Sequence, residues 1–403
     1  MEWKTVKLGE VGEIVTGKTP STKNPAFYDH GDILFIGPSD LNSCTKHILS
    51  SEKHITLEGR QSLGKNVIPR GAICVSCIGT IGYIGVSSSD CATNQQINSI
   101  VVKEGINPDY VYYCMKNMWH VFKSLEGQST TLSILNKSHF SNLELSLPPI
   151  ETQRRIAAIL SSLDAKIENN NRISANLEAQ AQALFKSWFV DFEPFGRVMP
   201  EDWKFGSISA FPHILETGRR PKGGAVESGV PSIGAEHIKG MGTYDYSKTK
   251  YITEEYARSM KAGKIKGYEL LIYKDGGKPG YFIPNFTIYG EGYPFDECYI
   301  NEHVLKLDFP DKAFNIFCYF YFQEPEVMTY LNAQGGKAAI PGINKSDIEN
   351  INILSPENEA VKQFGDIVMP YFTTILRNLK ENQRLAALRD TLLPKLMKGE
   401  IAV

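Results

Sequence analysis

Two short loops in this chain combine threonine, glycine and a basic side chain just before a proline. Residues 16–20 read Thr-Gly-Lys-Thr-Pro, and residues 217–221 read Thr-Gly-Arg-Arg-Pro. Glycine lets a backbone approach a partner closely, and lysine, arginine and threonine hydrogen-bond to phosphate oxygens. The loops therefore favour nucleic-acid contact, with a solvated turn as the alternative. Their candidate contact residues are Lys18, Thr19, Arg219, Arg220 and Lys222.

Two further glycine-containing loops also occur twice. Residues 79–82 stand opposite 276–280, and residues 127–131 stand opposite 334–338. Hydroxyl, amide and lysine side chains on such loops suit hydrogen bonds to base edges and phosphates, although turns that merely close strands are the alternative. The DNA-contact candidates in these loops are Thr80, Gln128, Ser129, Thr130, Lys278 and Lys337.

Residues 12–19, Gly-Glu-Ile-Val-Thr-Gly-Lys-Thr, match every fixed position of the phosphate-binding loop of nucleotide-binding proteins. That loop must lead into a helix directly after its lysine and threonine. Here Pro20 follows Thr19 immediately, and residues 14–15 look like a strand. The second copy loses the pattern, so we predict no nucleotide site.

Other enzyme-like patterns also lack the context that their chemistry needs. Residues 107–110 resemble the tetrapeptide of amino-methyltransferases, but Asp109 stands where that motif has proline. Cys74 and Cys77 have no second pair at zinc spacing and lie in an apolar run. The eight histidines have no motif context. We therefore predict no catalytic, cofactor or metal site in this chain.

The recurring loops belong to a repeat with an offset of about 208 residues. With Pro148 placed on Pro356, residues 136–138 fall on 344–346, and apolar residues meet apolar residues over about fifty positions. The chain is therefore predicted to form two mixed α/β units, each followed by a helix. Such a repeat can fold with pseudo-twofold symmetry, which suits a target with two half-sites, and duplex DNA is the obvious one.

Local patterns place the main elements of both units. Residues 72–78 and 97–102 are strand candidates, and residues 110–125 look helical. In the second copy, residues 270–273 and 314–331 take the corresponding roles.

Two long helices are the clearest local prediction. Glycine and proline are absent from Glu151 to Glu193, while Pro370 predicts a kink or restart in the second helix. Both carry a seven-residue stripe, which is typical of a coiled-coil seam. Its members are Ile156, Leu163, Asn170, Leu177, Leu184, Phe364, Tyr371, Asn378, Leu385 and Leu392. Flanking residues expected to widen the first stripe are Ile159, Leu160, Ile167, Ile173 and Trp188.

Each stripe has one polar member, at the same repeat position. A buried asparagine in a seam fixes register at some cost in stability. Antiparallel packing brings equivalent positions together near the symmetry axis. We therefore predict that Asn170 and Asn378 lie within about 11 Å, two helical turns, of each other. The alternative is that both sit on a solvated flank.

The bulk composition is that of a globular protein, with 42% hydrophobic and 22% charged residues. No run of about 18 apolar residues exists, the first ten residues lack a signal-peptide core, and the seven cysteines are odd in number. These features predict a cytoplasmic protein with no membrane contact.

The net charge of −2 argues weakly against simple polyanion binding, but the second unit is polarised along the sequence. Residues 204–278 hold 13 basic against 8 acidic side chains, and residues 281–356 hold 4 against 10. A polarised domain can bind phosphates on one face. Chance clustering on a solvated surface is the alternative.

Several segments resemble specificity subunits of type I restriction-modification enzymes. Residues 147–157, Leu-Pro-Pro-Ile-Glu-Thr-Gln-Arg-Arg-Ile-Ala, resemble the signature that opens the conserved helix of that family. Residues 78–82 and 94–97 are similar to features of its target-recognition domains, and residues 392–401 fit its C-terminal ending. The resemblance covers essentially the whole chain. The second copy departs from it at 276–280 and 355–356.

The resemblance implies an α+β fold with two mixed α/β target-recognition domains in a pseudo-twofold tandem repeat, at 1–149 and 194–356. Two long antiparallel coiled-coil helices, at 150–193 and 357–403, separate them. It implies a non-catalytic subunit that reads a bipartite, asymmetric site in double-stranded DNA. The helices would set the gap between half-sites and, through their stripes, dock two methylation subunits, which restriction subunits join. S-adenosylmethionine, ATP and Mg would be bound by these partners and not by this chain.

Two alternatives remain open from the sequence. The chain could serve a methyltransferase complex that has no cleavage partner, or it could be a scaffold that binds only proteins through its helices. A phosphate-contacting reader loses affinity steeply as salt rises, and a protein scaffold does not.

Overall fold

The computed structural model describes residues 3–126, 133–276, 282–336 and 341–403. The chain divides into two compact units. The first unit comprises Met1–Asn169 with Asn382–Val403, and the second comprises Asn170–Glu381. The first long helix, Ile150–Phe189, and the second long helix, Glu359–Met397, each give one half to each unit.

The described residues of the first unit form three sheets. The strand order of the largest is Gly12–Thr16, Ile97–Val102, Ile73–Ser76, Ile84–Ser87 and His47–Ile48. A second sheet has the order Lys53–Ile55, Ile33–Ile36, Cys91–Thr93 and Val67–Ile68. The third pairs Lys4–Lys7 with Glu144–Leu147. The central strand Ile73–Ser76 is buried throughout, which explains its continuous run of apolar and small residues.

The second unit repeats this plan. Its largest sheet has the order Ile214–Thr217, Val304–Asp308, Leu270–Tyr273 and Phe286–Ile288. A second sheet has the order Lys250–Ile252, Val230–Ile233 and Tyr299–Ile300. A two-stranded sheet pairs Phe205–Ser207 with Asn352–Leu354. Equivalent strands therefore have the same order in the sheets of the two units, as the predicted duplication requires.

Short helices connect the strands. In the first unit they are Leu8–Val11, Pro38–Ser43, Leu57–Gln61, Pro108–Asn117, Trp119–Glu126 and Lys137–Ser141, with a 3-10 turn at Pro25–Phe27. In the second unit they are Glu254–Ser259, Lys312–Tyr321, Pro325–Gly335 and Lys345–Glu349, with 3-10 turns at Glu193–Phe195, Ile208–Ala210, Ala235–His237 and Tyr246–Lys248.

The repeated Asn-Lys-Ser segment starts a helix in each unit. The Asn136 side chain accepts a hydrogen bond from the His139 amide at 2.9 Å, and the Asn344 side chain accepts one from the Ser346 amide at 2.8 Å. Asparagine is a preferred N-cap because its side chain satisfies an amide that has no intrahelical partner. The repeat is therefore a pair of equivalent helix caps.

Three helix predictions need correction. Residues 110–125 and 314–331, each predicted as one helix, are interrupted near Met118 and at residues 322–324. In the second copy the break precedes Pro325, which occupies a first-turn position where its missing amide costs nothing. The first long helix ends at Phe189, not at Glu193.

The second long helix does not restart at Pro370. It runs continuously from Glu359 to Met397. A proline removes one hydrogen bond of the helical ladder, but the flanking turns remain bonded when tertiary packing holds them. Val368 and Phe372, on either side of the proline, are fully buried, so both turns are anchored in the core of the second unit.

In each unit the two long helices run antiparallel to each other. In the first unit, Asp164 pairs with Arg389 at 2.6 Å. Arg155, which precedes Asp164, donates at 3.3 Å to the backbone oxygen of Val403, which follows Arg389. In the second unit, the Asn170 side chain donates to Glu381 at 2.8 Å. The predicted antiparallel pairing of these helices is confirmed within each unit.

The predicted proximity of Asn170 and Asn378 is also confirmed. The side-chain nitrogen of Asn378 lies 3.5 Å from the backbone oxygen of Asn170 and 3.3 Å from the Ser174 hydroxyl. Asn170 is 1% exposed and Asn378 is 5% exposed, so neither lies on a solvated flank. The contact joins a side chain to a backbone, not two side chains.

Candidate nucleic-acid interface

In the first unit, the first threonine–glycine loop lies on the turn that contains Asn94. The amide of Gly17 donates to Ile97 at 3.0 Å, and that of Lys18 donates to Thr93 at 2.9 Å. A Cβ on Gly17 would lie 2.0 Å from the Asn94 carbonyl oxygen, so only glycine permits this approach. Pairing of Gly12–Thr16 with Ile97–Val102 brings the two segments together.

The loop that begins at Gly79 leaves the same end of the sheet. The Cys77 amide donates to the Gln96 carbonyl at 2.7 Å, which ties the strand before this loop to the Asn94 turn. The Gly79 amide donates to Ser133 at 3.1 Å. The segments 16–20, 79–82 and 93–97 therefore meet, together with Ser133, at one end of the first unit. We call this set the first loop cluster.

The second unit contains the equivalent second loop cluster. A Cβ on Gly218 would lie 1.6 Å from the Ile300 carbonyl oxygen, so the loop at 217–221 lies on the turn that contains Asn301. The Lys274 amide donates to His303 at 3.0 Å, and the Gly276 amide donates to Pro341 at 3.0 Å. These two bonds correspond to the Cys77–Gln96 and Gly79–Ser133 bonds of the first cluster.

The two asparagines hold the turns in the same way. The Asn94 side chain accepts from the Gln96 amide, and the Asn301 side chain accepts from the His303 amide, both at 2.9 Å. Each asparagine's own amide donates to the neighbouring strand, at Ile36 or Ile233. The residue after each asparagine, Gln95 in the first cluster and Glu302 in the second, is therefore placed by a rigid turn.

The predicted contact residues within the described chain are mostly exposed. Lys18 and Thr80 are exposed in the first cluster, and Thr19 is half-buried. Exposed residues of the second cluster are Arg219, Arg220 and Lys222. The remaining candidates lie outside the described residues: Gln128, Ser129, Thr130, Lys278 and Lys337.

Sequence reasoning singled out the basic loops but not the side chains that face them. The Thr19 hydroxyl donates to the Gln95 side-chain oxygen at 2.6 Å. Arg220 Nε lies 3.9 Å from Glu302 Oε1. The sequence does carry a signal for these facing side chains, because an asparagine recurs in the equivalent segments 93–97 and 300–304. Only the sheet register links these segments to the loops.

The two clusters differ in charge. In the first, the contacts among Thr19, Gln95, Asn94 and Gln96 are between neutral groups. In the second, Glu302 faces Arg220 and lies 3.3 Å from His303, whose other ring nitrogen contacts Asp275. A small cavity of about 180 Å³ adjoins this ionic network and includes Lys250 in its lining.

The charge polarity of the second unit is partly cancelled in space. Lys264, from the basic stretch, pairs with Glu297 of the acidic stretch at 2.6 Å, and Lys306 pairs with Glu216 at 2.7 Å. Burial opposes ionisation of Glu216, but hydrogen bonds from Lys306 and the Gly263 amide outweigh it and hold the pKa of Glu216 below its ordinary value. The exposed cations of the 217–222 loop are thus better candidates for phosphate contact.

The enzyme-like segments have structural roles in the described chain. Gly12–Thr16 is a strand, and no helix begins directly after Thr19, as predicted. Asn107 caps the helix Pro108–Asn117 by accepting from the Tyr110 amide at 2.9 Å. Cys74 and Cys77 are buried, and burial raises the pKa of each thiol to about 12. Among the described residues, no group of three His, Cys, Asp or Glu side chains could hold a metal ion.

The predicted helix stripe faces inward. Ile156, Asn170, Phe364 and Asn378 are buried, and the half-buried members are Leu163, Leu177, Leu184, Tyr371, Leu385 and Leu392. Five flanking residues were expected to widen the first stripe. Leu160 and Ile167 are buried and Trp188 is half-buried. Ile159 and Ile173 are each 38% exposed, so the stripe is widened on one side only. Within the described residues, no helix is long and apolar enough to span a membrane.

Comparison with known proteins identifies a matching domain and several similar proteins. Residues 1–179 match the type I restriction modification DNA specificity domain. The type I restriction enzyme MjaIX specificity subunit of Methanocaldococcus jannaschii is 28% identical over 422 residues, which cover 100% of this chain and 94% of that protein. The HindI specificity subunit of Haemophilus influenzae is 33% identical over 174 residues, 41% of this chain and 38% of that protein.

A solved structure shares the fold. The S subunit of a type I restriction-modification system from M. genitalium superposes with a TM-score of 0.61 at 14% identity, covering 98% of this chain and 96% of that one. The duplicated α+β units, the paired long helices, the matching domain and the full-length relative agree. The chain is similar over its whole length to a specificity subunit of a type I restriction enzyme, and its residues 1–179 match the DNA specificity domain of such systems.

Proposed function

We propose that this chain reads a bipartite, asymmetric sequence in double-stranded DNA, with one half-site read by each loop cluster. One observation carries the proposal. The two units hold three equivalent loop segments, joined in part by equivalent backbone hydrogen bonds, but place different side chains at equivalent positions. A shared backbone frame with different side chains suits two half-sites of different sequence.

Positive charge at the loops supports contact with the DNA backbone. Arg219 and Arg220 are exposed and adjacent, and each phosphate neutralised by such a side chain releases a counterion. Replacing both by alanine should weaken binding through the second half-site and lower the salt slope by about 1 to 2. The first half-site sequence should not change. Unaltered affinity and salt slope would contradict the contact.

The long helices are proposed to set the gap between half-sites. Helices of 40 and 39 residues extend about 60 Å at 1.5 Å per residue, longer than one domain needs for its core. The buried Asn170 and Asn378 fix their register. Inserting residues within Ile150–Phe189 should change the gap and leave both half-site sequences intact. A changed base preference would argue against a spacer.

We further propose that the helices dock two methylation subunits, with restriction subunits joining that core. The buried stripe residues serve the helix pair, so docking falls better to exposed apolar residues. Ile159 and Ile367 are equivalent under the 208-residue offset and are 38% and 40% exposed. Two equivalent apolar residues suit two copies of one partner. S-adenosylmethionine, ATP and Mg would belong to these partners, and the complex would work in the cytoplasm.

Native mass spectrometry tests this docking. Ile159→Glu and Ile367→Glu should each reduce the bound methylation subunits from two to one, and the double variant should bind none. Leu388→Glu is the matched control, because Leu388 is 47% exposed but its equivalent, Gln180, is polar. Two subunits retained on the double variant would refute these anchors.

The main experiment is long-read methylation sequencing. DNA would come from a methylation-free host that expresses this chain with its cognate methylation subunit. A two-part adenine motif with a fixed gap is the expected result. No methylation from a well-assembled complex would instead favour a scaffold that binds only proteins. A complex that methylates but never cleaves would identify a methyltransferase-only system.

A further inference from the structure

The two loop clusters share one side-chain contact at equivalent positions. When the loops 16–20 and 217–221 are aligned, Thr19 corresponds to Arg220, and the asparagine turns align Gln95 with Glu302. Thr19 contacts Gln95 at 2.6 Å, and Arg220 approaches Glu302 at 3.9 Å. The same pair of positions therefore meets in both units, but one pair is neutral and the other is charged. We call them the neutral pair and the charged pair.

The neutral pair leaves a specific set of hydrogen-bonding groups available. The Thr19 hydroxyl donates to the Gln95 oxygen, which retains a second lone pair, and no described residue accepts a hydrogen bond from the amide group of Gln95. Gln95 is exposed on a rigid turn. A donor beside an acceptor matches the major-groove edge of adenine, which offers N7 as acceptor and its N6 amino group as donor.

The charged pair presents a different set. Glu302 only accepts hydrogen bonds and Arg220 only donates them. In the major groove, cytosine offers the N4 amino donor, and guanine offers the O6 and N7 acceptors. A carboxylate beside a guanidinium therefore matches the two edges of one C·G pair. Glu302 is 29% exposed on its side chain and Arg220 is 70% exposed, so both can be reached.

A role in phosphate binding alone does not account for the charged pair. A carboxylate near the DNA backbone is repelled by phosphate, and it weakens the attraction of the arginine beside it. Glu302 is surrounded by the side chains of Arg220 and His303, and its backbone oxygen accepts from Lys274. Such a carboxylate suits a DNA interface where it meets an amino group on a base edge.

We propose that these two pairs are the equivalent base-reading elements of the two half-sites. The Thr19–Gln95 pair reads an A·T base pair, and the Arg220–Glu302 pair reads a C·G base pair. This assignment rests on the proposed function and goes beyond it by naming one base pair in each half-site and the side chains that select it.

Exchanging the pairs tests the assignment. The double variant R220T/E302Q gives the second cluster the neutral pair, and T19R/Q95E gives the first cluster the charged pair. Each variant would be expressed with the methylation subunit, and its methylated motif would be sequenced. We expect R220T/E302Q to change one position of the second half-site from C·G to A·T, with at least a tenfold loss at the original motif. The reciprocal variant should make the opposite change in the first half-site.

The matched control makes the same chemical change away from the cluster. Arg258 and Glu254 form an exposed pair at 3.5 Å on the helix Glu254–Ser259, so R258T/E254Q should leave the motif unchanged. An unchanged motif at full methylation in the two exchange variants would overturn the assignment. So would equal loss of affinity for every DNA sequence in an assembled complex, because that result identifies a general DNA contact. Failure of the proposed function is distinct, since the wild-type complex would then yield no two-part motif.

Discussion

The side chains that pack the long helices against the rest of each unit differ in chemistry between the two units. In the first unit, Asp164 is fully buried, pairs with Arg389 at 2.6 Å and accepts from the Tyr113 hydroxyl at 2.6 Å. Under the 208-residue offset, the equivalents of Asp164 and Arg389 in the second unit are Phe372 and Ala181, both fully buried. An ion pair in the first unit is thus replaced by two buried apolar side chains at the equivalent positions of the second unit.

The difference extends along the helices. Glu168 accepts from the His47 amide at 2.7 Å and contacts the His47 ring at 2.8 Å, whereas its equivalent, Leu376, packs in an apolar core. Phe372 lies against Phe320 with ring centroids 5.7 Å apart. The duplication has therefore kept the period and direction of the helices while their contacts diverged. Asp164, Arg389 and their equivalents are buried in both units although their polarity differs, and the buried polar groups of the first unit are hydrogen-bonded.

The largest effect is expected from breaking the ion pair of the first unit. Arg389→Met leaves Asp164 as a buried charge without its main partner, which should destabilise the first unit by about 3–5 kcal/mol. Hydrogen exchange measured by mass spectrometry reports on each unit separately, and the second unit should keep its protection. Arg154→Met is the control, since the Arg154–Glu151 pair is exposed and should change stability by less than about 1 kcal/mol.

Giving the first unit the apolar chemistry of the second sharpens this test. The triple variant D164L/R389M/Y113F removes both charges and the hydroxyl together. Replacing a complete buried ion pair with apolar residues is often neutral or stabilising by about 1–4 kcal/mol. We therefore expect wild-type stability or better. A triple variant as unstable as Arg389→Met would mean that the fold of the first unit requires the polar cluster.

A smaller effect is expected from acid. Burial opposes ionisation of Glu168, but hydrogen bonds from the side chain and amide of His47 outweigh it and hold the pKa of Glu168 below its ordinary value. Its stabilisation is therefore present above the unfolded pKa of about 4.3 and is lost as pH falls through the lower folded value. The stability difference between wild type and Glu168→Gln should shrink over that window in acid titrations of unfolding. A constant difference would exclude this linkage.

The smallest effect is expected at the asparagine of the second helix. Asn378 makes two long hydrogen bonds, at 3.3 and 3.5 Å, so Asn378→Leu should change the free energy of unfolding by only about 1 kcal/mol. The main effect of the substitution should be on the register of the two long helices, because a polar seam residue selects one alignment of the helices. Methylation sequencing would then show a less uniform gap between half-sites. A loss above about 3 kcal/mol would show that Asn378 is a major stabilising contact.

Much of this fold was accessible from the sequence. The 208-residue offset identified the duplication, and the absence of glycine and proline identified the first long helix to within four residues of its end. Local sequence patterns gave wrong predictions of where helices are interrupted. The sequence showed no reason for a break at Met118, and the second long helix does not restart at Pro370.

The two loop clusters show most clearly what the sequence determines and what the tertiary structure decides. The sequence alone established the repeat, the helical stripes and the glycine loops, because these depend on periodicity and on local backbone preference. Only the tertiary structure placed Thr19 against Gln95 and Arg220 against Glu302, residues separated by 76 and 82 positions. Contacts at such separation follow from strand order and register, which the hydrogen bonds of the whole sheet decide and which no local pattern contains.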